Sequence, residues 1–171
     1  MPTDRPSTPQ AIRVAGASDI EAIVRVTNRA YEVEQFCLRG DRTDAADVGA
    51  LMTAGQFLVV DDPTKQLPLR GSVYLSITET RGYLGLLSVD PTCQGTGLAR
   101  ALVKAVEERC RQAGCQFLDL SVVNLRRELF PFYVRFGFSP TTILPFPKPD
   151  KVLQPLHLIQ MTKALGTGQE P

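Results

Sequence analysis

The sequence predicts a mixed α/β domain in which antiparallel strands come first, a strand–helix–strand–helix unit follows, and two further strands close the sheet. Three observations carry this. Short apolar runs separated by turn residues fill positions 57–89, some with the alternation of half-buried strands. A turn with two glycines, Gln94-Gly95-Thr96-Gly97, joins the last of these runs directly to a run of helix formers. Leu98, Leu102, Ala105 and Val106 then recur at helical spacing before the apolar run 117–123. Such a strand–helix–strand unit makes a right-handed crossover with parallel pairing.

The elements follow in order. Ala11-Ile12-Arg13-Val14 alternates as a short strand, and Ser18-Asp19-Ile20-Glu21 has the spacing of a capping box. A helix is expected to begin there, with Ile20, Ile23, Val24 and Thr27 on one stripe. Positions 32–47 are acidic and irregular, after which Val48, Leu51 and Met52 predict a short helix stopped near Gly55. Strands are expected over 57–60, 71–78 and 83–89. They are separated by the turn chemistry of Asp61-Asp62-Pro63-Thr64-Lys65 and by a tight turn at Thr80-Arg81-Gly82. These three form an antiparallel meander. After the glycine turn a helix runs to about Ala113, with Gly114 at its left-handed cap. A second helix is predicted over 125–136, ending at Gly137, with Arg126, Arg127 and Glu128 in a solvated first turn. Strands over 138–144 and 156–162 flank a loop stiffened by Pro145, Pro147, Pro149 and Pro155.

The chain has 171 residues, 43% hydrophobic and 22% charged, enough for one core and too little for two ordinary domains. The domain is expected over 11–165, between a proline-rich disordered tail at 1–10 and a flexible tail at 166–171. A net charge of +1 offers no electrostatic reason to bind nucleic acid or an anionic membrane. No apolar run resembles a secretory signal or a membrane span. Cys37, Cys93, Cys110 and Cys115 contain no C-x-x-C pair and the only histidine is His157, so no metal site is expected. The default setting is a reduced, cytoplasmic one.

The glycine turn is the most informative stretch. It presents free backbone N–H groups at the positive end of a helix, an arrangement suited to a phosphate or pyrophosphate. A dinucleotide fingerprint would need a third glycine where Arg100 stands, and no lysine–hydroxyl pair closes the turn as in a nucleotide phosphate loop. A plain tight connection into a helix is the alternative for two glycines in this place.

Gln94-Gly95-Thr96-Gly97-Leu98-Ala99 resembles the Q/R-x-x-G-x-G/A segment of the GNAT superfamily of acyl-CoA-dependent N-acyltransferases. Asn124 followed by Phe132-Tyr133-Val134-Arg135-Phe136-Gly137-Phe138 resembles that family's asparagine and F-Y-x-x-x-G-F segment. The resemblance is specific over about 83–138. It implies a mixed sheet with acetyl-CoA as co-substrate, its pyrophosphate on the N–H groups of Gln94, Gly95, Thr96, Gly97, Leu98, Ala99 and Arg100. It further implies a pantetheine arm paired with the backbone of Leu87, Ser88 and Val89, near Asn124, with the N–H near Val89 facing the thioester carbonyl. No covalent enzyme intermediate is implied, so Cys93 is read as a bystander.

The resemblance makes Tyr133 the group that protonates or hydrogen-bonds the departing thiolate; without it, Tyr133 would be one more aromatic on a buried helix face. Asn124 read alone is a strand-end turn residue. Some family members carry a glutamate on the strand before the glycine turn, where this chain has Tyr83 or Gly85. The base candidates are therefore Glu34, Glu79 and His157, the last also readable as a packed strand residue. The resemblance implies an acceptor site between 31–43 and 144–155, where Glu32, Glu34 and Asp41 stand against Arg39 and Arg42 and the second loop carries Phe146 and Lys148, a mildly acidic, partly apolar cleft; a solvated loop is the alternative reading of these acids. The implied activity is acetyl transfer to a primary amine of a small molecule or peptide, and a homodimer is left open. The alternative is a non-catalytic acyl-CoA-binding or protein-interaction module of the same fold.

Overall fold

The computed structural model describes residues 11–166; the two predicted tails, apart from residue 166, lie outside them. Its elements are β1 (Ile12–Val14), α1 (Ile20–Ala30), α2 (Ala45–Ala54), β2 (Gln56–Val60), β3 (Gly71–Thr78), β4 (Arg81–Val89), α3 (Leu98–Gln112), β5 (Phe117–Val123), α4 (Leu129–Arg135), β6 (Ser139–Leu144) and β7 (Leu158–Ala164). One seven-stranded sheet has the order β1-β2-β3-β4-β5-β7-β6. Only the β4–β5 pair is parallel, across the α3 connection.

Helices cover both faces of the sheet, which explains the unbroken apolar run of β2. Leu58 and Val60 pack with Leu98, Leu102 and Val106 of α3, whereas Phe57 and Val59 pack with Ile23 and Val26 of α1 and Val48 of α2. A period-2 strand buried on both sides has no polar face to show. Each such leucine or isoleucine withdrawn from water contributes about 1.5–3 kcal/mol.

Boundaries differ from the sequence reading where distant groups decide them. A 3-10 turn, Ala17–Asp19, precedes α1, and it is this turn that is capped, by Gly16 and Asp19 and not by Ser18 and Glu21. The Asp19 carboxylate accepts the Gly16 N–H at 2.8 Å and also holds Arg13 at 2.9 Å, which reaches Asp61 at 2.7 Å. Helix α2 starts inside the stretch read as irregular, because the Asp44 side chain accepts the Asp47 N–H at 2.8 Å. The β3–β4 reversal falls at Glu79-Thr80, with Glu79 at φ 53°, so β4 begins at Arg81, which pairs with Asp119 of β5 at 2.8 Å. Helix α4 begins four residues later than expected and β7 two residues later.

Two irregularities in β4 shape the functional region. Its pairing with β5 runs only from Arg81↔Phe117 to Tyr83↔Asp119, after which the strands diverge. Its pairing with β3 is interrupted by a bulge between Tyr74↔Gly85 and Ser72↔Ser88, where Leu86 takes φ 48°. A leucine in the left-handed region costs about 1–2 kcal/mol, and bulges of this kind re-aim backbone groups beside active sites.

Candidate active site

The segment between β4 and α3 is braced from behind and open in front. Asp90, almost fully buried, accepts bonds from the Thr92 N–H (3.0 Å) and hydroxyl (2.7 Å) and from Arg29 of α1 (2.9 Å). Burial pushes the Asp90 carboxyl up, but these donors overrule it and hold it below the usual carboxylate range. The Thr96 hydroxyl donates to the Cys93 carbonyl at 2.6 Å. The first bond of α3 runs from Ala101 to the Gly97 carbonyl at 3.0 Å; among the described residues, no N–H from Gln94 to Arg100 has a backbone partner. Gly95 and Gly97 stand at φ 77° and 81°, and a Cβ at either would meet nothing within 4 Å. The glycines are there for their backbone angles, and they leave a row of N–H groups facing open space at a helix N-terminus.

A chain of cavities runs from this cradle along β4. The first, about 330 Å³, is lined by Gln94, Ala99, Leu87, Val89, Leu129 and Tyr133. It shares Tyr31, Leu87, Leu129 and Tyr133 with a passage of about 140 Å³ in the gap between β4 and β5. That passage shares Arg42, Tyr83, Gly85 and Leu86 with a cleft of about 420 Å³ on the far side, floored by Ala50, Leu51 and Tyr74.

Tyr133 stands where the first two spaces meet. It is 6% exposed, and its ring makes edge contacts with Phe132 at 5.0 Å and Phe138 at 5.9 Å between centroids. Gly137 at φ 93° makes the second contact possible, because the chain turns back after α4 and the Phe138 N–H reaches the Tyr133 carbonyl at 3.1 Å. Burial raises the Tyr133 pKa strongly, Tyr31 and Tyr83 add to this, and Arg126 opposes it. Burial likewise pushes Tyr31 up to about 12. Both phenols therefore carry their protons throughout the neutral range.

The charges are set by contacts between remote segments. Glu34, 5% exposed, receives Arg126 at 2.9 Å and stands 4.0 Å from the Arg42 Nε. Its Oε2 and that Nε are buried without hydrogen-bond partners, beside a cavity of about 20 Å³. Burial raises the Glu34 pKa, and the two arginines only partly offset it. Arg126 is 13% exposed, not part of a solvated turn, because it spans Glu34 and Glu128. The loop carrying Glu34 and Arg42 is stitched to the loop between β6 and β7 by main-chain bonds from Arg39 to Lys151 (2.8 Å) and from Leu153 to Cys37 (2.9 Å).

The sequence candidates thus divide. Gln94, Ala99, Leu87, Val89 and Tyr133 converge on the first cavity, whereas the Leu98 side chain is buried in the α3 core and Arg100 stands with its guanidinium 5.9 Å from the Phe136 ring. The Ser88 side chain points inward and donates to the Leu86 carbonyl at 2.9 Å. The Asn124 Oδ1 accepts the His157 N–H at 2.9 Å, and the Asn124 N–H bonds the His157 carbonyl at 3.0 Å, a clasp between the end of β5 and the start of β7. Of the three base candidates only Glu34 lines these cavities. Cys93 is buried away from them. Between the two loops expected to hold the acceptor lies the small cavity, with Glu34 and Asp41 against Arg39, Arg42, Lys148 and Lys151, and the larger cleft carries Arg42 and Lys148 against Asp47. Arg42 and Tyr31 fall in the loop that the sequence marked for the acceptor, but nothing local assigned either of them a role.

Free N–H groups at a helix N-terminus, a splayed parallel strand pair and a second cleft beyond it suit a transferase that takes its group from a pyrophosphate-bearing coenzyme with a long arm. The chain belongs to the acetyltransferase (GNAT) family, whose model matches residues 21–138. Solved structures with the same fold include the ribosomal-protein-S18-alanine N-acetyltransferase from Escherichia coli. It is 17% identical with TM-score 0.75, and the match covers 94% of this chain and 97% of that one. The yncA protein from Salmonella typhimurium, solved with its cofactor acetyl-CoA, is 20% identical with TM-score 0.70, covering 96% and 98%. A GNAT acetyltransferase from Staphylococcus aureus is 19% identical with TM-score 0.72, covering 91% and 99%. No curated protein matches the chain. The protein is an acetyltransferase with acetyl-CoA as co-substrate, and the cradle of unspent N–H groups fits that molecule's pyrophosphate. Among the described residues no helix is long and apolar enough to cross a membrane.

Proposed function

We propose that the protein transfers the acetyl group of acetyl-CoA to a primary amine of a small molecule or peptide by direct attack in a ternary complex. The observation that carries this is the row of cavities with shared lining residues that leads from the cradle, past Tyr133 and the bulge of β4, to the cleft on the other side. Acetyl-CoA supplies the thioester. The N–H groups of Gln94 to Arg100 hold its pyrophosphate, and the open edge of β4 at Leu87 and Val89 receives its arm.

The bulge, not Val89, is the better source of the oxyanion donor. Ser88 holds the Leu86 carbonyl to one side, and in a trans peptide the Leu87 N–H then points to the other. That donor is aimed before the substrate arrives, the condition under which such a bond accelerates acyl transfer. Val89 is in register with Gly71 in the β3–β4 ladder. Tyr133 donates its proton toward the departing sulfur. Glu34 takes a proton from the acceptor by way of the small cavity at its Oε2, which has the volume of one water. A base helps because an alkylamine of pKa about 10.4 is only about one part in a thousand neutral near pH 7.

The test is release of free CoA thiol from acetyl-CoA across a panel of amines and peptides. Amine-stimulated release is the expected result. Tight acetyl-CoA binding with no stimulated release by any amine would sink the proposal in favour of a binding module.

A further inference from the structure

We propose that the acceptor is a small amine bearing a carboxylate, of the amino-acid class, and that Arg42 is the group that holds that carboxylate. This rests on the acetyltransferase reading above and adds the chemistry of the second substrate.

Of the cations around the acceptor cleft, one is held by a long ion pair alone and makes no hydrogen bond among the described residues. Asp47 and Lys148, both facing the cleft, pair with each other at 3.2 Å. Behind them, Glu34 takes its short contact from Arg126 at 2.9 Å and stands 4.0 Å from Arg42. Arg42 remains. Its side chain is 31% exposed, and among the described residues it makes no hydrogen bond, while its Nε is buried and unpartnered. The Tyr31 ring lies 5.2 Å from the guanidinium and steadies it. A guanidinium cannot shed its charge, and a buried Nε with no hydrogen-bond partner is costly unless a ligand meets it.

The shape of those donors selects the ligand. A planar guanidinium fork matches a carboxylate two bonds at a time, which a point charge or a neutral amide does not. Arg42 lines both the cleft and the passage to Leu86 and Leu87, so an acceptor gripped there is anchored beside the place where its amine reacts. Beside Thr43 and Tyr83 the remaining lining is apolar, with Ala50, Leu51 and Leu86, and the Tyr74 hydroxyl is already spent on the Leu51 carbonyl at 3.0 Å. About 420 Å³ accepts an amino acid with an aliphatic or aromatic side chain. A polyamine would bring further cations toward Arg42 and Lys148.

The experiment compares amino acids, their carboxamides and the corresponding decarboxylated amines as acceptors, with acetyl-CoA and a thiol readout. The best acid should exceed its amide in kcat/KM by about 30-fold or more, as expected for a bidentate charged contact. Arg42→Gln should bring acid and amide within about threefold of each other, chiefly through KM, and Arg42→Lys should keep part of the preference. Melting temperature and acetyl-CoA affinity establish that the variants fold. Amides or plain amines used as fast as acids overturn the inference and leave the acetyltransferase standing. So does Arg42→Gln lowering acid and amide alike, which makes the residue scaffolding. No release with any amine overturns the acetyltransferase reading and this inference together.

Discussion

Tyr133→Phe removes one oxygen and keeps the ring, so it separates chemistry from packing. The ring's edge contacts with Phe132 and Phe138 survive, and among the described residues the hydroxyl makes no protein hydrogen bond. Little stability is therefore at stake, and the melting temperature should move by less than about 2 °C. The chemical effect is larger. Burial, with Tyr31 and Tyr83 nearby, keeps the phenol protonated, so it is a donor at every working pH. A thiol of free pKa about 8.5 leaves nearly as the anion, and a hydrogen bond to a charged group contributes about 1.5–3 kcal/mol. That corresponds to about a 10- to 150-fold drop in kcat. Steady-state thiol release at saturating acetyl-CoA measures it, alongside direct titration of acetyl-CoA, whose affinity should stay within about threefold. In the unsubstituted protein, kcat should show no falling limb between pH 7 and 9.5 from this group, since its pKa lies above that of free tyrosine. A kcat within twofold of the parent would refute the assignment, and an equal loss in acetyl-CoA affinity would make Tyr133 a binding residue.

Three further outcomes follow from the same geometry. Glu34→Gln should lower turnover about tenfold or more at pH 7, with the deficit shrinking as pH approaches the amine's own pKa; a deficit that is constant with pH would assign Glu34 to holding Arg126. Ser88→Ala, by freeing the Leu86 carbonyl, should lower kcat about tenfold at nearly constant acetyl-CoA affinity, with about 1 kcal/mol lost in denaturant melts. Asp90→Ala should cost about 2–3 kcal/mol, seen as a melting point about 5–10 °C lower, and should weaken acetyl-CoA binding. The native Asp90 carboxyl is held below its unfolded value, so its contribution is present above about pH 4 and is lost as pH falls through the folded pKa. Melts of Asp90→Asn should accordingly lose that part of the acid sensitivity.

What the sequence disclosed was local. Gly95 and Gly97 announce positive φ to any reader of a strand–turn–helix, and the Phe132-Tyr133 to Gly137-Phe138 segment encodes its own turn back onto the tyrosine ring. What it withheld depends on partners far along the chain. The choice of Asp19 over Ser18 at the start of α1 is made by Arg13 and Asp61, 48 residues apart. The delayed start of α4 accompanies an Arg126 drawn toward Glu34, 92 residues earlier. The same long-range pairing converts a loop that reads as acidic into a cleft whose free charge is positive. Counting Glu32, Glu34 and Asp41 against Arg39 and Arg42 gave an acidic sum, because Arg126, which pairs with Glu34, stands outside the count, and Glu32 lines neither the small cavity nor the cleft.

The two halves of the site are consequently built from different materials. The donor half is main chain: N–H groups aimed by glycine backbone angles, by Asp90 and by the bulge at Leu86. Side-chain substitutions alter such a surface only where they remove one of its braces, such as Ser88 or Asp90, so it can serve one coenzyme while the rest of the chain varies. The acceptor half is side chain, carried on two loops that the Leu38↔Val152 bridge and its neighbouring bonds hold as one body. Asp47 and Lys148 there are exposed enough that their pair contributes only about 0–1 kcal/mol. Exchanging either changes the charge that an acceptor meets and leaves the fold almost untouched. Specificity in this chain is therefore cheap to alter at the cleft rim and expensive to alter at Arg42. A new residue at Arg42 must also satisfy the buried carboxylate of Glu34, 4.0 Å behind it.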